Sequence, residues 1–274
     1  MTSHPLPGPG PRPLPREIQP PLRIQANVIG ALIIRELHTR FGRENIGYLW
    51  IFAEPMLLAV AVGALHSRQH VPIGGGVRSV PFAIAGYTLF IMFRSMVSRA
   101  ETLLEANRPL LNHRRVTIFD MLIARALLEA ASTTMVLVLL LAGAWVLDLF
   151  DAPADLLLMG GAVVLLAWFS FALSMIVTTL SHESPMAGRL IHPLLYLSMP
   201  LSGAFFTMLW VPPSFRAVLG WIPTVPMFEL LRLGMFDGYP ADYTGAAYPI
   251  AWCGLLTLVG LAGLRILRPR VQLA

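Results

Sequence analysis

The stretch Arg35–Pro55, "RELHTRFGRENIGYLWIFAEP", changes character along its length. It begins with charged and apolar residues intermixed and ends in a run apolar enough for a membrane. If that run starts at Gly47, Glu54 lies about 10 Å into it, at ~1.5 Å per helical residue. An ionisable residue at such depth is by default a functional candidate that faces protein or water. The stretch therefore predicts a helix at the membrane surface followed by a transmembrane helix.

The composition of the whole chain is that of a membrane protein. Of 274 residues, 56% are hydrophobic and 13% are charged, and the apolar residues fall in runs near the ~20 residues that span a bilayer. All 20 basic residues are arginine, so the chain has no lysine for the phosphate-binding loop of an ATPase or for Schiff-base chemistry. Any ATP-driven step therefore needs a separate subunit, and we expect this chain to bind no cofactor itself.

Hydropathy predicts an all-α polytopic membrane protein in three parts. Residues 1–22 are proline-rich and predict a disordered cytoplasmic arm, residues 23–42 predict an amphipathic interface helix, and residues 43–270 predict a six-helix transmembrane domain. The predicted spans are Gly47–Leu65, Val80–Val97, Met121–Leu147, Leu156–Leu180, Leu190–Leu209 and Tyr248–Ile266. Four prolines between Pro212 and Pro226 break the segment before the last span, which predicts two short external helices there.

The arginine distribution predicts the orientation of these spans. With the N-terminus inside, fourteen arginines fall in cytoplasmic segments and four fall in external loops, namely Arg68, Arg78, Arg216 and Arg232. Short cytoplasmic loops carry the excess of basic residues in membrane proteins. We therefore expect both termini in the cytoplasm.

Candidate chemical groups are sparse in the sequence. His66 and His70 stand four residues apart, but no third ligand is near them, so neither a metal site nor a catalytic residue is predicted. The segment Arg99–Asp120 predicts a helix as far as Asn107 and a break at Pro109. It fits either a basic loop that anchors two spans or a short helix that receives force from a cytoplasmic partner. Glu54 likewise fits either a pairing with an arginine or a role that faces the substrate.

The order of these features resembles that of a known family. "IIRELHTRFGRENIGYLWIFAEPMLL" is similar to the opening of ABC exporter permeases (ABC type-2), in particular the capsular polysaccharide permeases of Gram-negative bacteria, the KpsM, BexB and CtrC type. The likeness covers about Arg23 to Arg268, and Ile46 departs from it by replacing a leucine. The matching positions are Arg35, Glu36, Arg40, Phe41, Gly42, Gly47, Tyr48, Leu49, Trp50, Glu54 and Pro55.

The resemblance implies a homodimer in the bacterial inner membrane, served by a cytoplasmic ABC ATPase dimer that binds ATP and Mg²⁺. It implies further partners, a periplasmic co-polymerase-type protein and an outer-membrane exporter. Nucleic acid is not expected as a partner, because the arginines lie where membrane topology requires them. It implies that an anionic lipid-linked polysaccharide enters and is gated at Arg35, Glu36, Arg40, Arg43, Tyr48, Trp50, Glu54 and Pro55. It implies ATPase coupling at Glu105, Asn107, Arg108, Arg114 and Arg115.

Other functions stay open at this point. The cargo could instead be lipid-linked O-antigen, a teichoic acid or a small drug. O-antigen is the nearest alternative, because its permeases share the interface helix and six spans. A membrane-embedded glycolipid-modifying enzyme is a second class, which needs a cluster of acid, base or metal ligands on one membrane face. A non-transporting scaffold for glycan assembly is a third, which an ATPase partner that responds to substrate would contradict.

Overall fold

A computed structural model describes residues 21–41, 57, 61, 77–111 and 116–271. Helices are the regular structure throughout these residues, which confirms the predicted all-α class. We number them in chain order: α1 (Pro21–Phe41), α2 (Ser79–Glu101), α3 (Leu103–Ala106), α4 (Arg108–Leu111), α5 (Ile118–Val146), α6 (Leu156–Glu183), α7 (Pro185–Leu201), α8 (Pro213–Leu219), α9 (Thr224–Met235) and α10 (Ala247–Val271).

Four of the described helices are long and apolar enough to cross a membrane: α2, α5, α6 and the part of α10 from Ala247 to Pro269. They coincide with the predicted second, third, fourth and sixth spans, with ends displaced by a few residues. Apart from Leu57 and Ala61, the predicted first span lies outside the described residues. The chain therefore has the predicted polytopic character, and its first span stays a prediction.

The helix α6 is the element around which the others pack, since it contacts α2, α9 and α10. Toward α2, the Ser174 hydroxyl donates to the backbone carbonyl oxygen of Met96 at 3.1 Å. Toward α10, a Cβ added at Gly260 would lie 2.7 Å from Cβ of Met175, so only glycine permits the observed approach. Hydroxyl bonds and small residues are the usual means by which membrane helices pack closely.

Side-chain caps fix where three of the long helices begin. Thr117 and Asp120 form a capping box at the start of α5, in which each side chain bonds the other residue's backbone N–H. Asp155 accepts two backbone N–H groups in the first turn of α6, and Ser184 accepts one at the start of α7. Such caps bond amide groups that have no partner within the helix.

The fifth predicted span, Leu190–Leu209, is wrong in its limits. The helix found there, α7, has 17 residues, and it begins at Pro185 and ends at Leu201. The chain leaves the helix at Gly203, where φ is +86°, a conformation that glycine adopts readily and other residues rarely do. Hydropathy gave no sign of this end because the residues after Leu201 are as apolar as the helix itself.

The two short helices predicted before the last span are present as α8 and α9, and they differ in burial. The described side chains of α8 are all at least partly exposed, whereas α9 is buried along nearly its whole length. A Cβ added at Gly234 of α9 would lie 2.5 Å from the Met159 amide nitrogen of α6. The second short helix is therefore part of the core, and its placement relative to the membrane stays a prediction.

The helix α1 packs along α5. Among the side chains of α1 whose burial is described, Leu32 is buried, whereas Ile34, half a turn away around the helix, is 58% exposed. The side of α1 that faces the protein therefore carries Leu32 together with the polar residues described below. Its position at a membrane surface stays a prediction.

Candidate functional site

Polar side chains of α1 contact the first turns of α5. The Gln25 amide donates to Asp120 Oδ1 at 3.0 Å, and Arg125 Nε lies 3.1 Å from Glu36 Oε1. The side chains of Glu36 and Arg125 are 13% and 17% exposed, so this ion pair is largely withdrawn from water. A partly buried pair is screened less than a surface pair and holds two elements in register. We call these contacts, together with the Arg35–Asn107 bond described next, the α1–α5 junction.

The junction extends to the segment that connects α2 to α5. Arg35 Nη1 donates to the side-chain oxygen of Asn107 at 2.8 Å. Asn107 is buried, and its own amide donates to the carbonyl oxygen of Leu103 at 2.8 Å, which fixes the bend between α3 and α4. Glu105 and Arg108 flank this residue and are exposed. A residue predicted at the substrate entrance thus contacts one predicted for ATPase coupling.

Arg125 connects the junction to α2 as well. Besides its contact with Glu36, it donates from Nη1 to the carbonyl oxygen of Arg99 in the last turn of α2, at 2.9 Å. One guanidinium therefore links α1, α2 and α5. Arg125 is not among the residues predicted from the sequence for this site. The available signal was an arginine one turn inside a predicted span, where a charged side chain needs a partner.

The remaining predicted site residues lie at or beyond the ends of the described segments. Arg40 lies in the last turn of α1. The others fall outside the described residues, and their roles stay predictions: Arg43, Tyr48, Trp50, Glu54, Pro55, Arg114 and Arg115.

A second polar group lies between α9 and the segment that follows α7, and sequence reasoning missed it. Glu229 and Arg232 are 1% and 3% exposed and form an ion pair at 2.8 Å. Tyr239 donates its phenolic O–H to the other carboxylate oxygen of Glu229 at 2.6 Å. Thr207 hydrogen-bonds the Tyr239 hydroxyl. We call these four residues the Glu229 cluster.

The Glu229 cluster bonds the backbone where α7 has ended. Arg232 donates to the carbonyl oxygens of Gly203 and Ala204, and Glu229 accepts the backbone N–H of Met208 at 3.1 Å. Irregular backbone inside an apolar protein needs such partners, because unpaired amide groups are costly to bury. The guanidinium of Arg232 also stacks on the Phe82 ring of α2, with its carbon 4.4 Å from the ring centroid.

Burial raises the pKa of Tyr239 well above its ordinary value, chiefly by desolvation and with a contribution from the nearby Glu229 carboxylate. The phenol therefore keeps its proton at neutral pH and acts as a donor to Glu229. The available sequence signal was Glu229 and Arg232 three residues apart in an apolar helix. That spacing places both charges on one helix face, where they pair.

The chain belongs to the ABC-2 type transporter family, which it matches over residues 27–236. It is 35% identical over 242 residues to the capsule polysaccharide export inner-membrane protein CtrC of Neisseria meningitidis serogroup B, across 88% of this chain and 91% of that protein. It is 32% identical over 240 residues to the capsule polysaccharide export inner-membrane protein BexB of Haemophilus influenzae, with the same two coverages. The polysialic acid transport protein KpsM of Escherichia coli is 30% identical over 247 residues, 87% of this chain and 93% of that protein. The resemblance read from the sequence is confirmed.

Proposed function

We propose that this chain is the transmembrane permease subunit of an ATP-driven exporter that moves lipid-linked capsular polysaccharide across the bacterial inner membrane. The observation that carries the proposal is the similarity to two capsule polysaccharide export inner-membrane proteins across 88% of the chain. Two copies form the conduit, with both termini in the cytoplasm. Because the chain has no lysine, a separate ABC ATPase dimer binds and hydrolyses ATP with Mg²⁺.

The α1–α5 junction supports a route for coupling. Glu105 and Arg108 present their charges to solvent beside Asn107, which is buried and bonded to Arg35 of α1. An ATPase that docks on the exposed pair and shifts α3 and α4 pulls directly on α1. Arg125 then passes the displacement to α2 and α5 through its contacts with Glu36 and Arg99. Coupling needs an element with two arrangements, and single contacts of this kind are able to exchange partners.

The substrate side of the proposal rests on α1 and the residues that follow it. An anionic lipid-linked polymer meets Arg40 and Arg43, and Glu54 and Pro55 shape the entrance to the first span. The polymer then passes to a periplasmic co-polymerase-type protein and an outer-membrane exporter.

The test uses a capsulated bacterial strain that encodes this chain. Mild-detergent purification of the chain should recover a P-loop ATPase in equal amount, and deletion of the chain should abolish surface polysaccharide. Glycan linkage analysis of material that accumulates inside identifies the cargo. A chain that purifies without any ATPase, or a deletion that leaves export intact, contradicts the proposal.

Two sets of variants separate the coupling role from the substrate role. Arg108→Glu should lose the ATPase, whereas Arg268→Glu, the same reversal at an exposed position of α10, should keep it. Arg40→Ala and Glu54→Gln should keep the ATPase but lose surface polysaccharide. If Arg108→Glu and Arg268→Glu retain the ATPase equally, the coupling surface lies elsewhere.

A further inference from the structure

The helix α2 is largely buried, and its positions that are open to the surface, apart from Ser79, Val80, Ser95 and Arg99, follow one line. From Tyr87 onward, its partly exposed positions recur at helical spacings of three and four, and those along this line are Tyr87, Ile91, Arg94, Ser98 and Glu101. Four of these five side chains are polar. We call this line the α2 stripe.

The exposed sides of the other spans differ from the α2 stripe. On α5 they carry Met135, Val138 and Leu139, and on α10 they carry Leu258 and Val259. Apolar side chains of this kind are what a lipid-facing surface requires. A polar line on a helix that is otherwise buried is instead typical of a surface that meets water or a polar solute.

Arg94 lies in the middle of the stripe. It precedes Glu101, the last residue of α2, by seven positions, about 10 Å along the axis at 1.5 Å per residue. Its guanidinium carbon lies 4.2 Å from the ring centroid of Tyr196 on α7, and Nη2 donates to the Tyr196 hydroxyl. An arginine at this depth in a span is energetically costly unless it pairs with another group or reaches water, and such residues are usually functional.

Tyr196 accepts only part of the hydrogen-bonding capacity of Arg94. The guanidinium carries five N–H donors, and among the described residues its hydrogen bond to Tyr196 uses one of them. Tyr196 is itself 58% exposed, so the pair stands at an open surface and not inside the core. One turn before Tyr196 on α7, His192 Nε2 lies 3.3 Å from Glu101 Oε2. Glu101, the carboxylate at the end of the α2 stripe, therefore already has a contact.

We propose that Arg94 and Tyr196 form a subsite for an anionic group, a carboxylate or a phosphate, of the exported molecule as it passes along the seam between α2 and α7. The inference rests on the proposed function, since it places this seam in the conduit. A planar guanidinium with free donors binds such groups through paired N–H bonds. The Tyr196 ring fixes the guanidinium orientation from one side and leaves its other edge to the ligand.

The first experiment measures whether the subsite meets water and attracts anions, and it needs no export. Ser98 lies one turn from Arg94 on the same face, and the single native cysteine, Cys253, is buried and gives the background rate. In inverted vesicles, Ser98→Cys is treated with anionic 2-sulfonatoethyl methanethiosulfonate or cationic 2-(trimethylammonium)ethyl methanethiosulfonate. We expect labelling by both reagents. Adding Arg94→Gln should lower the anionic-to-cationic rate ratio about tenfold, as expected for loss of a nearby unit charge, and Arg94→Lys should preserve it.

The second experiment asks what the subsite binds. A glucuronic acid oligosaccharide or glycerol 3-phosphate is added before the anionic reagent. Protection by the oligosaccharide identifies a polymer carboxylate, and protection by glycerol 3-phosphate identifies the phosphate of a lipid linker. Either should vanish in Arg94→Gln and persist in Arg265→Gln, a matched change at an exposed position of α10.

Several results overturn the subsite without touching the proposed function. One is that Ser98→Cys reacts with neither reagent, and another is that Arg94→Gln leaves the anionic-to-cationic rate ratio unchanged. A third is that neither anion protects Ser98→Cys, in a strain whose capsule still depends on the chain. Conversely, normal capsule after deletion of the chain overturns the proposed function, while anion-selective labelling of Ser98→Cys is measured independently of it.

Discussion

The Glu229 cluster and the α1–α5 junction use the same residue types in opposite ways. Glu229 and Arg232 are sealed from water and bond one another and the backbone beyond α7. Glu36 and Arg125 are buried less completely, at 13% and 17% exposed, and join helices far apart in the sequence through few contacts. A sealed charge pair is costly to break because the ion left behind is uncompensated, and this cost falls as a pair becomes more exposed to water. The first arrangement is suited to a fixed brace and the second to a contact that changes.

The largest expected effect comes from breaking the sealed pair. Arg232→Met leaves the Glu229 carboxylate buried without its ion partner and leaves the Gly203 and Ala204 carbonyls without their donor. We expect a loss of about 3–5 kcal/mol in the free energy of unfolding. The thermal midpoint and the yield of monodisperse protein in detergent measure it.

The matched control is Arg265→Met, at an exposed position of α10, which should leave the midpoint unchanged. The pair Glu229→Leu with Arg232→Met removes both charges and should cost less than the two single changes added together. If Arg232→Met and Arg265→Met have equal thermal midpoints, the Glu229 cluster does not stabilise the fold, and its contrast with the α1–α5 junction is wrong.

A smaller loss is expected where α2 touches the irregular segment that the cluster holds. A Cβ at Gly86 would lie 2.0 Å from the Ala204 carbonyl oxygen, so Gly86→Ala forces the two segments apart. Overpacking of this kind costs about 1–3 kcal/mol. Gly161→Ala is the control, since its Cβ meets no atom within 4 Å and should be neutral or stabilising. Equal thermal midpoints for the two variants would show that the segment yields freely.

The Glu229 cluster illustrates which parts of the fold could be predicted from the sequence and which could not. Hydropathy located α2, α5, α6 and α10 because each is a long apolar run, and four prolines separated the short helices α8 and α9. It misplaced the end of α7 because that end depends on Gly203 and on side-chain bonds from α9, which lie some thirty residues onward. Long-range polar bonds leave no periodic signal.

The candidate site was predictable to the same degree. Arg35 and Asn107 were each selected by their segment, but their contact with one another depends on how α1 packs along α5. Arg94 and Arg125 were passed over because a lone charge in an apolar run identifies neither its depth nor its partner. The charge itself was the available signal, because buried or intramembrane charges need partners.

Tyr239→Phe removes one donor from Glu229 while keeping the ring. We expect a loss of about 1–3 kcal/mol at neutral pH, the cost of a buried acceptor with one bond fewer. The pKa of Tyr239 is raised in the folded chain, so its stabilising effect is fully present below the unfolded value near ~10 and is lost as pH rises toward the folded value. The difference in thermal midpoint between the two proteins should therefore be constant from pH 7 to about 9 and shrink at higher pH. A difference that grows with pH contradicts the assigned proton.

The smallest effect on stability, and the one that most sharpens the comparison, is expected at the α1–α5 junction. Glu36→Gln and Arg125→Gln should each shift the thermal midpoint less than Arg232→Met does, and a double-mutant cycle should give a coupling of about 1–2 kcal/mol, between that of an exposed pair and that of a buried pair. Export should nevertheless fall well below that of wild type, with the ATPase still bound, because Arg125 is the contact through which α1 reaches α2. Variants of the α1–α5 junction should therefore lose export with little loss of stability, whereas variants of the Glu229 cluster should lose both. A coupling above about 3 kcal/mol, in the range of a buried pair, would make the junction a second brace and remove the contrast on which the coupling route depends.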